Sequence, residues 1–553
     1  MTVLPFVLLA AAAGSVSLLV RERRAWSTLV AVGGLGAMTW AAASMGPRSV
    51  IEIGGVVLAG SEWLRLFAVL GCVVGLLLVA VDVTAMHEPD VPGVIVLGLG
   101  AAVLALAIPD AGVAVVAATA GGLAGVLVAA PLGAAERAAF VGAREIRALA
   151  VAGALAIVAA AWLARPLGDL AAAPGVLGLA YLAFGLAVAV RFGAIPFHLW
   201  AARVADAAPG VALPLLLAWG PAAFAAVALA WIDQAVAPLA LPLGPERAII
   251  AAIGAVGIVL GILAAWIQDD LEHVVGYTIA ADAGFVVLGL AALEPAIWEP
   301  ARTWLLVFVV GRSAFAAWAV AVHGAFGTRR LPELDGWARR APVLALGLVV
   351  VAAASIGWPG FVAWEARSSI AGLALPGPVA ALIALAPLGL LAVYGRILLV
   401  GTRPPGPMVR AGTGDRPRRP VSLEAVPGQA RESGLSVAPD AAADELPIAL
   451  RGPLVRASRS RAAEVGGRLR AGATLILPAA RENRVPLASS AVLVLAGLAL
   501  AVAGGALGVP EAARAVPAFG QPDPGRPDPG EGPAGPGEAS APPDGEAPPS
   551  VLP

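Results

Sequence analysis

Apolar residues run along this chain in long unbroken blocks, and polar residues gather in the short gaps between them. A helix needs about 20 such residues to cross ~30 Å of hydrocarbon. By that measure spans lie at 3–20, 26–45, 63–82, 91–108, 111–131, 147–164, 174–193, 212–232, 247–267, 273–293, 302–322, 342–372, 378–400 and 486–508, fourteen segments in all. The pattern predicts an all-α polytopic membrane protein. The first block starts at the initiator without a basic stretch ahead of it and is followed by Arg21, Arg23 and Arg24, so it reads as a retained span and not a cleaved signal. One interval breaks the rule: in 48–61, Ile51, Ile53, Val56 and Val57 flank Gly54-Gly55 and predict a small hairpin.

The blocks divide the chain into a membrane core of thirteen spans over 1–400, an Arg- and Pro-rich extension over 401–485, a last span at 486–508 and a tail over 509–553. Residues 446–475 of the extension fit either a basic amphipathic helix on the membrane surface or a solvated linker. The tail is Pro, Gly and acidic residues with almost no large side chain to bury, which predicts disorder. Basic residues collect in cytoplasmic loops. Arg21, Arg23, Arg24, Arg137, Arg144, Arg147, Arg203, Arg329, Arg330, Arg339 and Arg340 fall in one alternate set of loops, and Arg48, Arg165, Arg247 and Arg302 at the edges of the other. That asymmetry predicts both termini outside and the extension on the cytoplasmic side.

Composition agrees with the pattern and removes other classes. Hydrophobic residues are 59% and charged residues 13% of the chain, and the mean hydropathy is +0.87, which excludes an ordinary soluble domain. The single cysteine, Cys72, and four scattered histidines offer neither a disulfide framework nor a haem or zinc site. A net charge of -1 gives no sign of nucleic acid as a partner. All 36 basic residues are arginines.

Several charges fall inside spans, where each costs roughly 2.5 to 3.5 kcal/mol on insertion scales and asks for a partner or water. The block ending at 193 carries Arg191, then Gly193, Pro196 and His198 in Arg-Phe-Gly-Ala-Ile-Pro-Phe-His-Leu-Trp. Pro196 removes a helical hydrogen bond and breaks the span. Further in, Asp282, Arg312, Glu365 and Arg367 lie in apolar blocks, and Pro359 in Ser-Ile-Gly-Trp-Pro-Gly-Phe interrupts the block at 342–372. Tryptophans near block ends (Trp26, Trp63, Trp162, Trp200, Trp298, Trp304) read as interfacial anchors.

Three stretches together resemble one family. Pro196-Phe197-His198-Leu199-Trp200 with Ala208-Pro209 is similar to the broken seventh helix of the antiporter-like subunits of respiratory complex I. The stretch 268–278, continuing to Gly284-Phe285, resembles the entry to the tenth helix, and 355–361 resembles the break in the twelfth. The resemblance covers about 1–400 and the last span, and its first motif is nearest the N-type subunit of NADH-quinone oxidoreductase. It implies two inverted five-helix repeats with helices 7 and 12 broken, and a hydrated proton path at mid-membrane. It also implies a multi-pass protein of the bacterial inner membrane, beside sibling antiporter-like and quinone-site subunits. NADH, quinone and iron-sulfur clusters would belong to those partners, with no cofactor bound by this chain.

The family's titrating residues are largely missing. Arg191 stands at the seventh-helix lysine and Arg367 at the twelfth-helix lysine, with Glu365 two residues earlier. The eighth-helix lysine falls at about Pro221, 111–131 has no acidic residue, and Asp282 replaces a histidine. Arginine effectively never loses its proton in proteins. Arg191, Arg312 and Arg367 therefore suit fixing water, holding an anion or neutralising Asp282 and Glu365, while His198, Asp282, His323 and Glu365 are the groups able to titrate. Asp282 and Glu365 fit equally as ion-pair partners of Arg312 and Arg367. Three readings stay open: a proton-translocating subunit, a non-conducting scaffold subunit of the same complex, or a subunit of a multisubunit cation/proton antiporter or membrane-bound hydrogenase.

Overall fold

A computed structural model describes residues 1–85, 91–129, 136–163, 174–232, 236, 243–404 and 484–514. The expected extension, with its segment 446–475, and the tail after 514 lie outside the described residues. The chain is helical through almost all of the rest. In order, the helices are α1 (Leu4–Leu19), α2 (Arg24–Ala43), α3 (Glu62–Ala85), α4 (Val91–Ala107), α5 (Ala111–Ala129), α6 (Glu136–Leu163), α7 (Pro174–Arg191), α8 (Leu199–Ala207), α9 (Gly220–Trp231), α10 (Gly244–Ile267), α11 (Leu271–Ala291), α12 (Trp298–Phe326), α13 (Pro342–Ile356), α14 (Val362–Ala374), α15 (Gly377–Leu385), α16 (Leu390–Thr402), α17 (Arg484–Ala503) and α18 (Val509–Arg514). Among the described residues eight helical segments are long and apolar enough to cross a membrane, and six further apolar helices are shorter. A count of fourteen spans depends on including those six.

The predicted hairpin is present. Strands β1 (Val50–Ile53) and β2 (Val56–Ala59) pair antiparallel, with Val50 opposite Ala59 and Ile53 opposite Val56. Gly54 and Gly55 have φ of 60° and 81°. A two-residue turn matching the strands' right-handed twist needs positive φ at both positions, which only glycine adopts freely.

Helix α12 is the axis around which the rest is organised, with α3, α11, α13, α14 and α17 packed directly on it. Its residues are apolar nearly all round, which suits a helix enclosed by others. Helices α10 and α11 lie closest together. A Cβ added at Gly261 would sit 2.9 Å from the Ala281 Cα, so glycine is what lets the two backbones meet. Without a hydrophobic driving force between helices in lipid, such small-residue contacts supply packing energy instead.

One end of α11 is tied to the loop after α12 by charge and backbone. Asp270 caps α11 by accepting from the Glu272 amide at 2.9 Å, Leu271 N donates to Arg329 O at 3.0 Å and Leu331 N to Asp269 O at 2.7 Å. Arg329 pairs with Asp270 at 2.7 Å and also with Glu272. The clamp fixes the height of α11 against α12, and with it the positions of Asp282 and Arg312. After α17 the chain continues into α18, where Arg302 of α12 donates to Ala513 O at 3.3 Å and Arg514 Nη2 to Glu299 at 2.7 Å.

Candidate functional site

Two interrupted helices face the centre of the molecule and are built alike. Helix α7 stops at Arg191, five residues before Pro196, and α8 begins at Leu199. Gly193 turns the chain with φ 61°, and a Cβ there would meet Ala201 Cβ at 2.6 Å. Helix α13 stops at Ile356, Gly357 turns with φ 58°, and α14 begins at Val362. A helix end leaves carbonyls without partners, and at membrane depth these must be satisfied within the protein.

A different side chain answers that need at each break. At the first, Trp200 Nε1 donates to Val190 O at 2.7 Å. At the second, Arg367 folds back from α14 and donates to Ser355 O at 3.0 Å, to Ile356 O, to Gly357 O at 3.4 Å and to Ala363 O at 3.2 Å. Its guanidinium also lies 5.0 Å from the ring centroid of Trp304 and 5.7 Å from that of Phe285. The arginine is fully buried. Its charge rests on the negative end of a helix dipole and on two aromatic faces.

The pairing of Glu365 with Arg367 does not occur. Glu365 is exposed while Arg367 is buried, and the reason is helix geometry: residues two apart point to nearly opposite sides, and only those three or four apart meet. Glu365 is thereby removed from the interior path.

The pairing of Asp282 with Arg312 does occur. Arg312 Nε donates to Asp282 Oδ2 at 2.7 Å, with both side chains at most 5% exposed. Arg312 Nη1 donates to Tyr394 Oη at 2.8 Å and to Ser355 Oγ at 3.4 Å. Tyr394 donates in turn to Ser355 Oγ at 3.0 Å. Ser355 belongs to the last turn of α13, so the ion pair connects directly to the second break.

The chain of polar groups continues toward the first break. Ser313, next to Arg312, accepts from Trp219 Nε1 at 3.0 Å. Trp219 ends a π turn, Leu215–Trp219, in which the Gly220 amide bonds back to Leu215 O. A Cβ on Gly220 would stand 3.6 Å from Arg191 Nη2. Arg191 is 6% exposed. Its Nε and Nη1 have no hydrogen-bond partner among the described residues.

His198 lies away from this line, half-buried at the start of α8, with its ring 5.7 Å from that of Tyr277. Its Nδ1 is buried without a partner. His323 is half-buried in the last turn of α12. Three tryptophans expected at the membrane interface are interior groups instead. Trp63 donates to Arg302 O at 3.3 Å, Trp304 to Asp282 O at 3.2 Å, and Trp200 caps Val190 as described. The surrounding helices bury all three. Trp26 and Trp162 are exposed, as an anchor requires. Sequence reasoning missed Tyr394, Trp219 and Ser313. Tyr394 left a signal, because a tyrosine hydroxyl in an apolar block must find a partner.

No group of three or more His, Cys, Asp or Glu able to hold a metal ion occurs among the described residues.

Residues 153–389 match the family described as NADH:quinone oxidoreductase/Mrp antiporter, transmembrane. The chain is 28% identical over 197 residues to NADH-quinone oxidoreductase subunit N of Laribacter hongkongensis, an alignment covering 35% of this chain and 39% of that protein. It spans less than half of the length of the curated relatives it matches. Its fold is similar to a chain of the Mrp complex from Dietzia sp., with a TM-score of 0.65 and 18% identity over 92% of this chain and 96% of that one. A chain of respiratory complex I from Thermus thermophilus is similar with a TM-score of 0.56 and 16% identity, over 91% and 98%. The fold is therefore that of the antiporter-like membrane subunits, and the chain is a multi-pass membrane protein.

Proposed function

We propose that this chain is an antiporter-like membrane subunit of a complex I-related NADH-quinone oxidoreductase and contributes to proton translocation coupled to electron transport. Its partners are sibling antiporter-like and quinone-site membrane subunits, and redox cofactors reside on those partners. The observation that carries this reading is the buried polar network of Arg312, Asp282, Tyr394, Ser355 and Arg367 at the second break, with Trp219 bonded to Ser313 beside it. An interior polar network at a broken helix has no packing purpose that leucine would not serve better. Along it, Asp282 and Tyr394 are the groups that exchange protons, and the arginines hold them and the intervening water in place.

The mildest test removes one charge and keeps the shape. In Asp282→Asn the amide oxygen still accepts from Arg312 Nε, so the assembled complex should form while proton pumping falls severalfold. Glu365→Gln, on an exposed face, should pump normally and serves as the control. Full assembly with undiminished pumping in Asp282→Asn would instead favour a non-conducting scaffold. That second reading has its own support in the absence of any acidic residue from Ala111–Ala129, and in the 2.7 Å clamp of Arg312 on Asp282. In the same reading both termini face outward, following the arginine distribution. Reporter fusions at either end that become active on the cytoplasmic side would overturn that orientation.

A further inference from the structure

Arg191 is a buried cation that no described residue balances. No ion pair joins it to a described carboxylate, and two of its three guanidinium nitrogens lack a hydrogen-bond partner. It lies against Gly122 of α5 so closely that a Cβ there would come within 1.8 Å of Nη2. The same guanidinium lines a cavity with room for about one water molecule, walled by Thr119, Leu123, Leu149, Gly153 and Phe224. The Thr119 hydroxyl in that wall is also buried without a partner among the described residues. Two unpartnered polar groups on different helices therefore face one small, otherwise apolar space.

We infer that Arg191 and Thr119 form a binding site for a small monovalent anion of the halide class. The charge argument requires an anion, because an unpaired guanidinium at membrane depth is among the most costly groups a fold can bury. The size argument selects a monatomic one. Leucine, phenylalanine and glycine walls give no donors to the several oxygens of sulfate or phosphate, whereas a halide is satisfied by the guanidinium on one side and a hydroxyl on another. The Thr119 hydroxyl, free to rotate, donates its hydrogen to the ion. Gly122 completes the arrangement by letting the arginine lie flat on α5.

Equilibrium binding of radioactive chloride to the purified full-length chain in lipid nanodiscs, with gluconate as the background anion, tests the site. Wild type should bind saturably at one ion per chain, with bromide competing and sulfate not. Thr119→Val should weaken binding by about tenfold, the loss of one hydrogen bond to a charge. Arg191→Gln should abolish it. Gly122→Asp sets a carboxylate against Arg191, whose side chain can shift, and should fold while excluding the ion; it decides the matter if Arg191→Gln does not fold. No saturable binding by wild type, sulfate competing as well as bromide, or unchanged binding in a folded Gly122→Asp or Arg191→Gln chain would overturn the inference. Binding is read on the isolated chain, so its outcome is separate from whether the assembled complex pumps protons.

Discussion

Asp282→Leu should destabilise the folded chain by about 3 to 5 kcal/mol, the usual result of removing one partner from a buried ion pair. The structure gives the reason in detail. Arg312 is 1% exposed and donates its Nε to Asp282 at 2.7 Å, so losing the carboxylate strands a guanidinium among apolar helices. Its remaining bonds to Tyr394 and Ser355 are to neutral oxygens and do not replace the lost charge. The double variant Asp282→Leu/Arg312→Leu should recover most of the loss, because a well-packed apolar pair is often no worse than a buried salt bridge. Unfolding of the purified full-length chain in mixed micelles measures both, and the cycle isolates the coupling. A single-variant loss below about 1 kcal/mol, or a double variant as unstable as the single, would sink the account of this pair.

Arg367→Met should be comparably damaging for a different reason. No carboxylate is lost, since the guanidinium pairs with carbonyls and aromatic faces. What is lost is the cap on α13, leaving Ser355 O, Ile356 O and Gly357 O with one fewer donor each at membrane depth. Hydrogen bonds from a charged group contribute about 1.5 to 3 kcal/mol apiece, and two of them bring the expected loss to on the order of 3 to 6 kcal/mol. Arg367→Lys should recover part of it, because an ammonium carries donors and charge but cannot reach carbonyls spread from Ser355 to Ala363 with one planar fork. Equal stability of the methionine and lysine variants, measured in the same micelles, would show that the capping bonds contribute little.

What the sequence discloses and what it hides follow from the range of each interaction. The hairpin at 50–59 was legible because Gly-Gly between short β-rich runs is a local signal. The breaks at 191–199 and 356–362 were legible because glycine and proline act on the backbone within a few residues. Arg312 with Asp282 could be listed as mates only because hydrocarbon leaves a buried charge few choices. The pairing of Glu365 with Arg367 fails because closeness in sequence is not closeness in space: residues two apart on a helix point to nearly opposite sides. Trp304, Trp63 and Trp200 were misplaced for a related reason: a position near the end of an apolar block does not say whether the neighbouring helix covers it. Thr119 and Gly122 were invisible, since nothing marks one threonine or one glycine in α5 until Arg191 arrives from another helix.

The π turn at Leu215–Trp219 sets the register of the interior beyond it. A π turn carries one more residue than the α-helical path it replaces. Winding the same residues into a regular α-helix would rotate everything beyond by about 100°. Trp219 would swing off Ser313, and Gly220 would turn its bare face away from Arg191. Hydropathy, charge and amino-acid content would be unchanged by that rewinding. Relatives of this chain are therefore best compared here by counting residues between Pro214 and Pro221, because a regular helix one residue shorter there presents the same faces beyond it.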